Sequence, residues 1–127
     1  MEIWKDINGY EGLYQISNFG RVKSLERKHN WGGSIYNVSE KILKQTTILY
    51  CRVGLTKNKK MKNWLVHRLV ADAFVPNPNK YPIVMHKDDN PKNNNYTNLS
   101  WGTKYLNSQD MKNKGRARNQ YSINDRF

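Results

Sequence analysis

The chain has 127 residues, enough for one compact unit or two very small ones. Its 22 Lys and Arg against 10 Asp and Glu leave a formal charge of +12, which points to a polyanionic partner, nucleic acid before any other. No apolar run reaches the roughly 20 residues that cross a bilayer, the N-terminus lacks a signal-peptide core, and the lone Cys51 excludes both an internal disulfide and a cysteine-rich structural zinc site.

The expectation is a soluble, cytoplasmic protein that binds no membrane and no structural zinc. From the N-terminus, Gly9-Tyr10-Glu11-Gly12 and Ser17-Asn18-Phe19-Gly20 read as turns that bound two short strands, Leu13 to Ile16 and Arg21 to Leu25, forming a hairpin. The polar stretch Glu26 to Ser39, with Gly32-Gly33 inside it, reads as a mobile loop. Strands follow at Ile42 to Gln45, Leu49 to Leu55 and Lys62 to Val66, the last two joined by the basic turn Lys57-Asn58-Lys59-Lys60.

Apolar residues at 66, 69, 70, 73 and 74 follow the spacing of an amphipathic helix, which Pro76 and Pro78 terminate. Ile83-Val84-Met85 is a short apolar strand, Asp88 to Asn95 an Asn-rich loop, and Leu99-Ser100-Trp101 a returning strand. Thr103 is placed to cap a helix over Lys104 to Lys114, which Gly115 ends. Trp4, Tyr10, Tyr14 and Trp101 are assigned to the core, because aromatics are the largest apolar groups a small domain has.

The segment Ile83 to Trp101, with His86, Asn93-Asn94-Asn95 and Asn98, closely resembles the HNH motif of homing endonucleases. Val66-His67-Arg68-Leu69-Val70 is similar to the helix ahead of that motif, and residues 2 to 25 resemble the modular N-terminal motif often fused to such nucleases. The resemblance implies an α+β fold, a small antiparallel sheet followed by a ββα-metal core. It divides the chain into a β-rich DNA-contacting module at 1–65, a nuclease core at 66–114 and a basic, flexible tail at 115–127.

It also implies roles. His86 would be the general base toward a water that attacks a phosphodiester of double-stranded DNA, a task suited to a neutral imidazole. Asn98 would brace the loop between the strands, with the 93–95 asparagines in support, and His67 would support the site or touch phosphate. Asn107 would ligate one divalent ion, Mg²⁺ or Mn²⁺, through its amide oxygen.

One position departs from the family's pattern. Met85 stands where the family often has an oxygen-bearing metal ligand, and a thioether is a poor donor for hard ions. Either Asp88 or Asp89 substitutes, or the metal site is weakened and the protein is a non-catalytic DNA-binding relative. A basic RNA-binding protein is a third reading, resting on charge alone.

Candidate DNA contacts are Arg21, Lys23, Lys59, Lys60, Arg68, Lys114 and Arg116. The 15 Lys and 17 Asn beside three Ala suggest AT-rich codon usage, which accounts for lysines but not for these arginines. The sequence leaves the oligomeric state open.

Overall fold

The computed structural model describes residues 1–113; the tail at 115–127, including Arg116, and also Lys114 lie outside the described residues. Among the described residues the strands form four antiparallel sheets, and strands of three of them pack against the helix α1 (Val66–Phe74). The first sheet has the order β1 (Trp4–Asp6), β2 (Tyr14–Ser17), β3 (Val22–Ser24), β6 (Lys41–Ile42). β2 and β3 are the expected hairpin, in the register Gln15 opposite Lys23. β1 is three residues long, too short to leave an alternating pattern.

The stretch expected as a mobile loop is instead a second hairpin, β4 (Arg27–Trp31) paired with β5 (Ser34–Val38). Its turn is Gly32-Gly33, with φ of +60° and +85°, a conformation that glycine adopts without steric penalty. Most of β5 is solvent-exposed, so its side chains show no alternation between apolar and polar that would mark a strand.

A third sheet runs β7 (Thr46–Thr47), β8 (Cys51–Lys57), β9 (Lys60–Leu65). Asn58 and Lys59 turn between β8 and β9 with φ of 55° and 65°, which puts the basic turn at a hairpin tip. Alternate residues of β8, Cys51, Val53 and Leu55, point inward.

Leu65 ends β9 and Val66 starts α1 directly. Helix α1 occupies the span its apolar spacing predicts, and Val66, Leu69, Val70 and Ala71 are buried along one face. It packs on β2, β8, β9 and the strands beyond it, so one apolar core runs from Ile16 and Val22 through Leu55, Val66 and Val70 to Leu99. Each of these side chains contributes roughly 1.5–3 kcal/mol on burial. The Ala71 carbonyl accepts the N–H of the cap residue Val75 at 3.0 Å, and the Ala73 carbonyl accepts the distant Lys5 Nζ at 2.9 Å, a cation at the negative helix end.

The chain closes with β10 (Ile83–His86), β11 (Leu99–Gly102) and α2 (Lys104–Asn113), the strand, loop, strand, helix order expected. β10 and β11 are antiparallel with His86 opposite Leu99. Of the four aromatics assigned to the core, Tyr10 and Tyr14 are buried, whereas Trp4 and Trp101 are half-buried. Trp101 is clasped at the edge, its Nε1–H donating to the Val75 carbonyl at 3.0 Å.

Candidate active site

The site is built on a loop that folds on its own asparagines. Asp88 accepts from the Asn90 N–H at 2.8 Å, from Asn93 Nδ2 at 2.8 Å and from Asn98 Nδ2 at 2.9 Å. Asn98, 8% exposed, accepts the Asp88 N–H at Oδ1 (3.1 Å) and donates Nδ2 also to the Asn93 carbonyl (2.9 Å). Its own carbonyl accepts the Lys87 N–H at 2.8 Å. The brace therefore ties both ends of the loop to the residue following His86.

These donors, Asn93 first, hold the Asp88 carboxyl below its ordinary pKa. Both its oxygens serve the loop. The substitute metal ligand anticipated at Asp88 is thus occupied as a brace in this structure.

His86 ends β10 half-buried, with Nε2 2.8 Å from Asn94 Oδ1. A carbonyl oxygen can only accept, so Nε2 carries the hydrogen and Nδ1 keeps its lone pair. Burial depresses the His86 pKa, and the Asn94 bond and the Asp88 charge only partly oppose it. The imidazole is consequently neutral at neutral pH, the form a general base requires.

His67, from α1, is buried with its ring centroid 4.9 Å from that of His86. Sequence reading thus placed together two histidines that do meet. Two neighbours carried weaker signals or none. Asn94 was one of three adjacent asparagines, and Tyr50, from the link between β7 and β8, had no local pattern at all. The Tyr50 ring lies 6.1 Å from His86 at 16° and 5.3 Å from His67.

Asn107 lies half-buried near the start of α2, its N–H bonded to the Thr103 carbonyl at 2.9 Å. Thr103 caps the helix as expected, its Oγ1 accepting the Leu106 N–H at 3.2 Å. Met85 reaches toward the same helix. A Cβ on Gly102 would stand 2.9 Å from Met85 Sδ and 3.7 Å from Leu106 Cβ, so the thioether fills the space between β11 and the first turn of α2.

Among the described residues no three His, Cys, Asp or Glu side chains converge on a point that could hold a metal ion. Asn107 offers one hard oxygen, and Met85 offers a soft sulfur. Mg²⁺ is usually held through one or two carboxylates beside waters and phosphate oxygens, so this set is sparser than such an ion ordinarily takes.

The basic candidates divide. Lys59 and Lys60 are exposed at the β8–β9 tip. Arg21 lies over the Trp4 ring and is paired with Glu2 through two hydrogen bonds, and its guanidinium draws the Glu2 pKa down to about 2. Lys23 stands 4.3 Å from the Trp4 ring centre and 3.8 Å from Glu40. Arg68 clasps the entry to β10, donating to the Pro82 carbonyl at 2.7 Å beneath Trp101.

A histidine held through Nε2 at the end of the first strand, an asparagine-braced return and a following helix follow the plan of the ββα nucleases. Comparison with known proteins agrees on both halves of the chain. The NUMOD4 motif matches residues 2–56, and the HNH endonuclease family matches residues 65–109. The DNA endonuclease I-HmuI of Bacillus phage SP01 is 41% identical over 112 residues, 88% of this chain and 59% of that protein.

An uncharacterized HNH endonuclease of Acanthamoeba polyphaga mimivirus is 39% identical over 100 residues, 77% of this chain and 26% of its own length. A solved structure of the homing endonuclease I-HmuI, in a study of its DNA binding and cleavage, superimposes with a TM-score of 0.75 at 40% identity, covering 91% of this chain and 60% of that one. The chain belongs to the HNH endonuclease family, in the homing-endonuclease form that carries a NUMOD4 motif ahead of the HNH segment. It spans about three fifths of the length of the phage relative. HNH endonucleases in general depend on divalent metal. No helix among the described residues is long and apolar enough to cross a membrane.

Proposed function

We propose that this protein hydrolyses phosphodiester bonds of double-stranded DNA, nicking or cutting it, in a reaction that requires Mg²⁺ or Mn²⁺. The observation that carries the proposal is His86, a neutral imidazole whose Nε2–H is fixed by Asn94 and whose Nδ1 is left to accept a proton. I-HmuI, which shares this half of the chain, binds and cleaves DNA.

In the proposed reaction a water oxygen forms a bond to phosphorus as the bond to the leaving oxygen breaks, and the water's proton passes to His86 Nδ1. The imidazolium that results keeps its bond to Asn94 Oδ1 and faces the nearby Asp88 carboxylate, both of which favour the charged form. Asn98 acts through the loop, holding the strand end that carries His86, and His67 packs beside the base. Asn107 would hold the divalent ion, which when bound supplies positive charge to the phosphate and the leaving oxygen. Lys59 and Lys60 would touch phosphates, fixing position without reading sequence.

Met85 supports a second reading, a DNA-binding protein with a weakened metal site. Incubation of supercoiled plasmid with the protein at low salt, with Mg²⁺ or Mn²⁺ and with chelator, separates the two. Metal-dependent nicking by the natural chain supports the nuclease. Plasmid binding without nicking, with nicking gained in Met85→Asp, supports the second reading.

A further inference from the structure

The catalytic half of the molecule is not self-contained. We infer that the N-terminal segment finishes the HNH site, with Tyr50 acting as a positioning residue for His86 and the Asn18–Gly20 turn holding Asn94 in place; this rests on the assignment of His86 as the base.

Two contacts, on separate parts of the N-terminal segment, carry the inference. The first is Tyr50, which lies within the residues matched by NUMOD4 and outside those matched by the HNH family. Its half-buried ring lies nearly parallel to the His86 imidazole, 16° apart with centroids separated by 6.1 Å, and 5.3 Å from His67. His67 and His86 are themselves 4.9 Å apart, so the three rings form a closed triangle. A single hydrogen bond from Nε2 leaves an imidazole able to swing about its side-chain torsions, and a flat ring against its face restricts that swing.

The second contact acts on the other partner in that bond. Asn94 is 5% exposed, and the turn following β2 is pressed against it. A Cβ on Gly20 would stand 2.9 Å from Asn94 Cβ and 3.1 Å from the Asn94 carbonyl oxygen. Gly20 also has φ of +92°, so both space and backbone demand glycine there. Next to it the Asn18 carbonyl accepts the Tyr96 N–H at 2.9 Å, tying the turn to the residue after the asparagine run. Gln45 Nε2 donates to the Gly20 carbonyl at 2.8 Å and steadies the turn from behind.

His86 is thus held on one side by Tyr50 and, through Asn94, on the other by Gly20. A device of this kind sets the rate of the chemical step and leaves DNA affinity alone, because none of these groups is a surface charge.

The test uses the full chain with Tyr50→Leu, Tyr50→Phe and Gly20→Ala, each read in two ways. Without DNA or metal, imidazole NMR follows the His86 ring-current shift and the persistence of its Nε2–H signal. With Mn²⁺ and supercoiled plasmid, single-turnover nicking is compared with plasmid affinity. Tyr50→Leu is expected to move the His86 ring signals, shorten the lifetime of its Nε2–H and slow nicking about 10- to 100-fold with affinity nearly unchanged, and Tyr50→Phe to restore both. Gly20→Ala is expected to weaken the Nε2–H signal and slow nicking in the same way. Natural His86 signals in both Tyr50→Leu and Gly20→Ala, a slowing explained wholly by lost affinity, or failure of Tyr50→Phe to restore them would overturn the inference. If the natural chain itself nicks no plasmid, the nuclease assignment fails, and the NMR readout still decides whether Tyr50 and Gly20 position His86.

Discussion

Nε2 of His86 and Oδ1 of Asn94 are 2.8 Å apart, and that one bond decides which imidazole nitrogen is available as a base. It ties the proposed chemistry to the protonation state of a single side chain.

The pH dependence follows from that state. Burial lowers the His86 pKa below its ordinary 6.5. The neutral ring is the active form, so the nicking rate should be at its plateau above that lowered pKa and fall as pH drops through it. The midpoint should lie below 6.5. Asn94→Asp places a negative charge at Nε2, favours the imidazolium and should raise the midpoint by about one unit or more. Single-turnover rates across a pH series check both, and a midpoint unmoved in Asn94→Asp would contradict the assignment.

Asn98 should matter first for stability. Asn98→Ala leaves the Asp88 N–H and the Asn93 carbonyl without their buried partner, at a cost of about 1–3 kcal/mol. Asn98→Asp should cost more, since it sets a second carboxylate beside Asp88. Urea unfolding midpoints would show the order natural, Ala, Asp.

Met85→Asp adds a hard oxygen where the thioether now lies against Gly102. The expected outcome is a drop on the order of tenfold in the Mn²⁺ or Mg²⁺ concentration that gives half-maximal nicking, since ligand charge tunes the affinity of such sites. Metal titration without DNA should move in the same direction. An unchanged requirement would place the ion away from residue 85.

Lys59→Ala and Lys60→Ala should each weaken DNA binding uniformly across sequences and lower the slope of log affinity against log salt by about 1. Arg21→Ala should change the slope less, because Glu2 already neutralises that guanidinium. Duplex binding at several salt concentrations distinguishes them.

Much of this arrangement is legible in the amino-acid sequence. The spacing of Val66, Leu69, Val70, Ala73 and Phe74 marked α1 because one helix face must be apolar to pack. The Asp88 to Asn95 run marked a loop because short amides and carboxylates bond their own backbone, as Asp88, Asn90 and Asn95 do. What the sequence hid were relationships between distant residues. Glu2, just ahead of β1, pairs with Arg21, just ahead of β3, and Tyr50 meets His86 only after the sheet folds against α1. The β5 strand left no trace for the opposite reason: four of its five residues are exposed, so burial imposed no pattern on it.

The central claim is that His86 is the base of a metal-dependent DNA hydrolysis. The most direct measurement compares single-turnover nicking by the natural chain and by His86→Ala at matched DNA occupancy, with Mn²⁺ and with chelator. The account predicts nicking that needs the metal and falls by about 10² to 10⁴ in His86→Ala while DNA binding persists. Equal rates for the two proteins, or nicking that survives chelation, would contradict it.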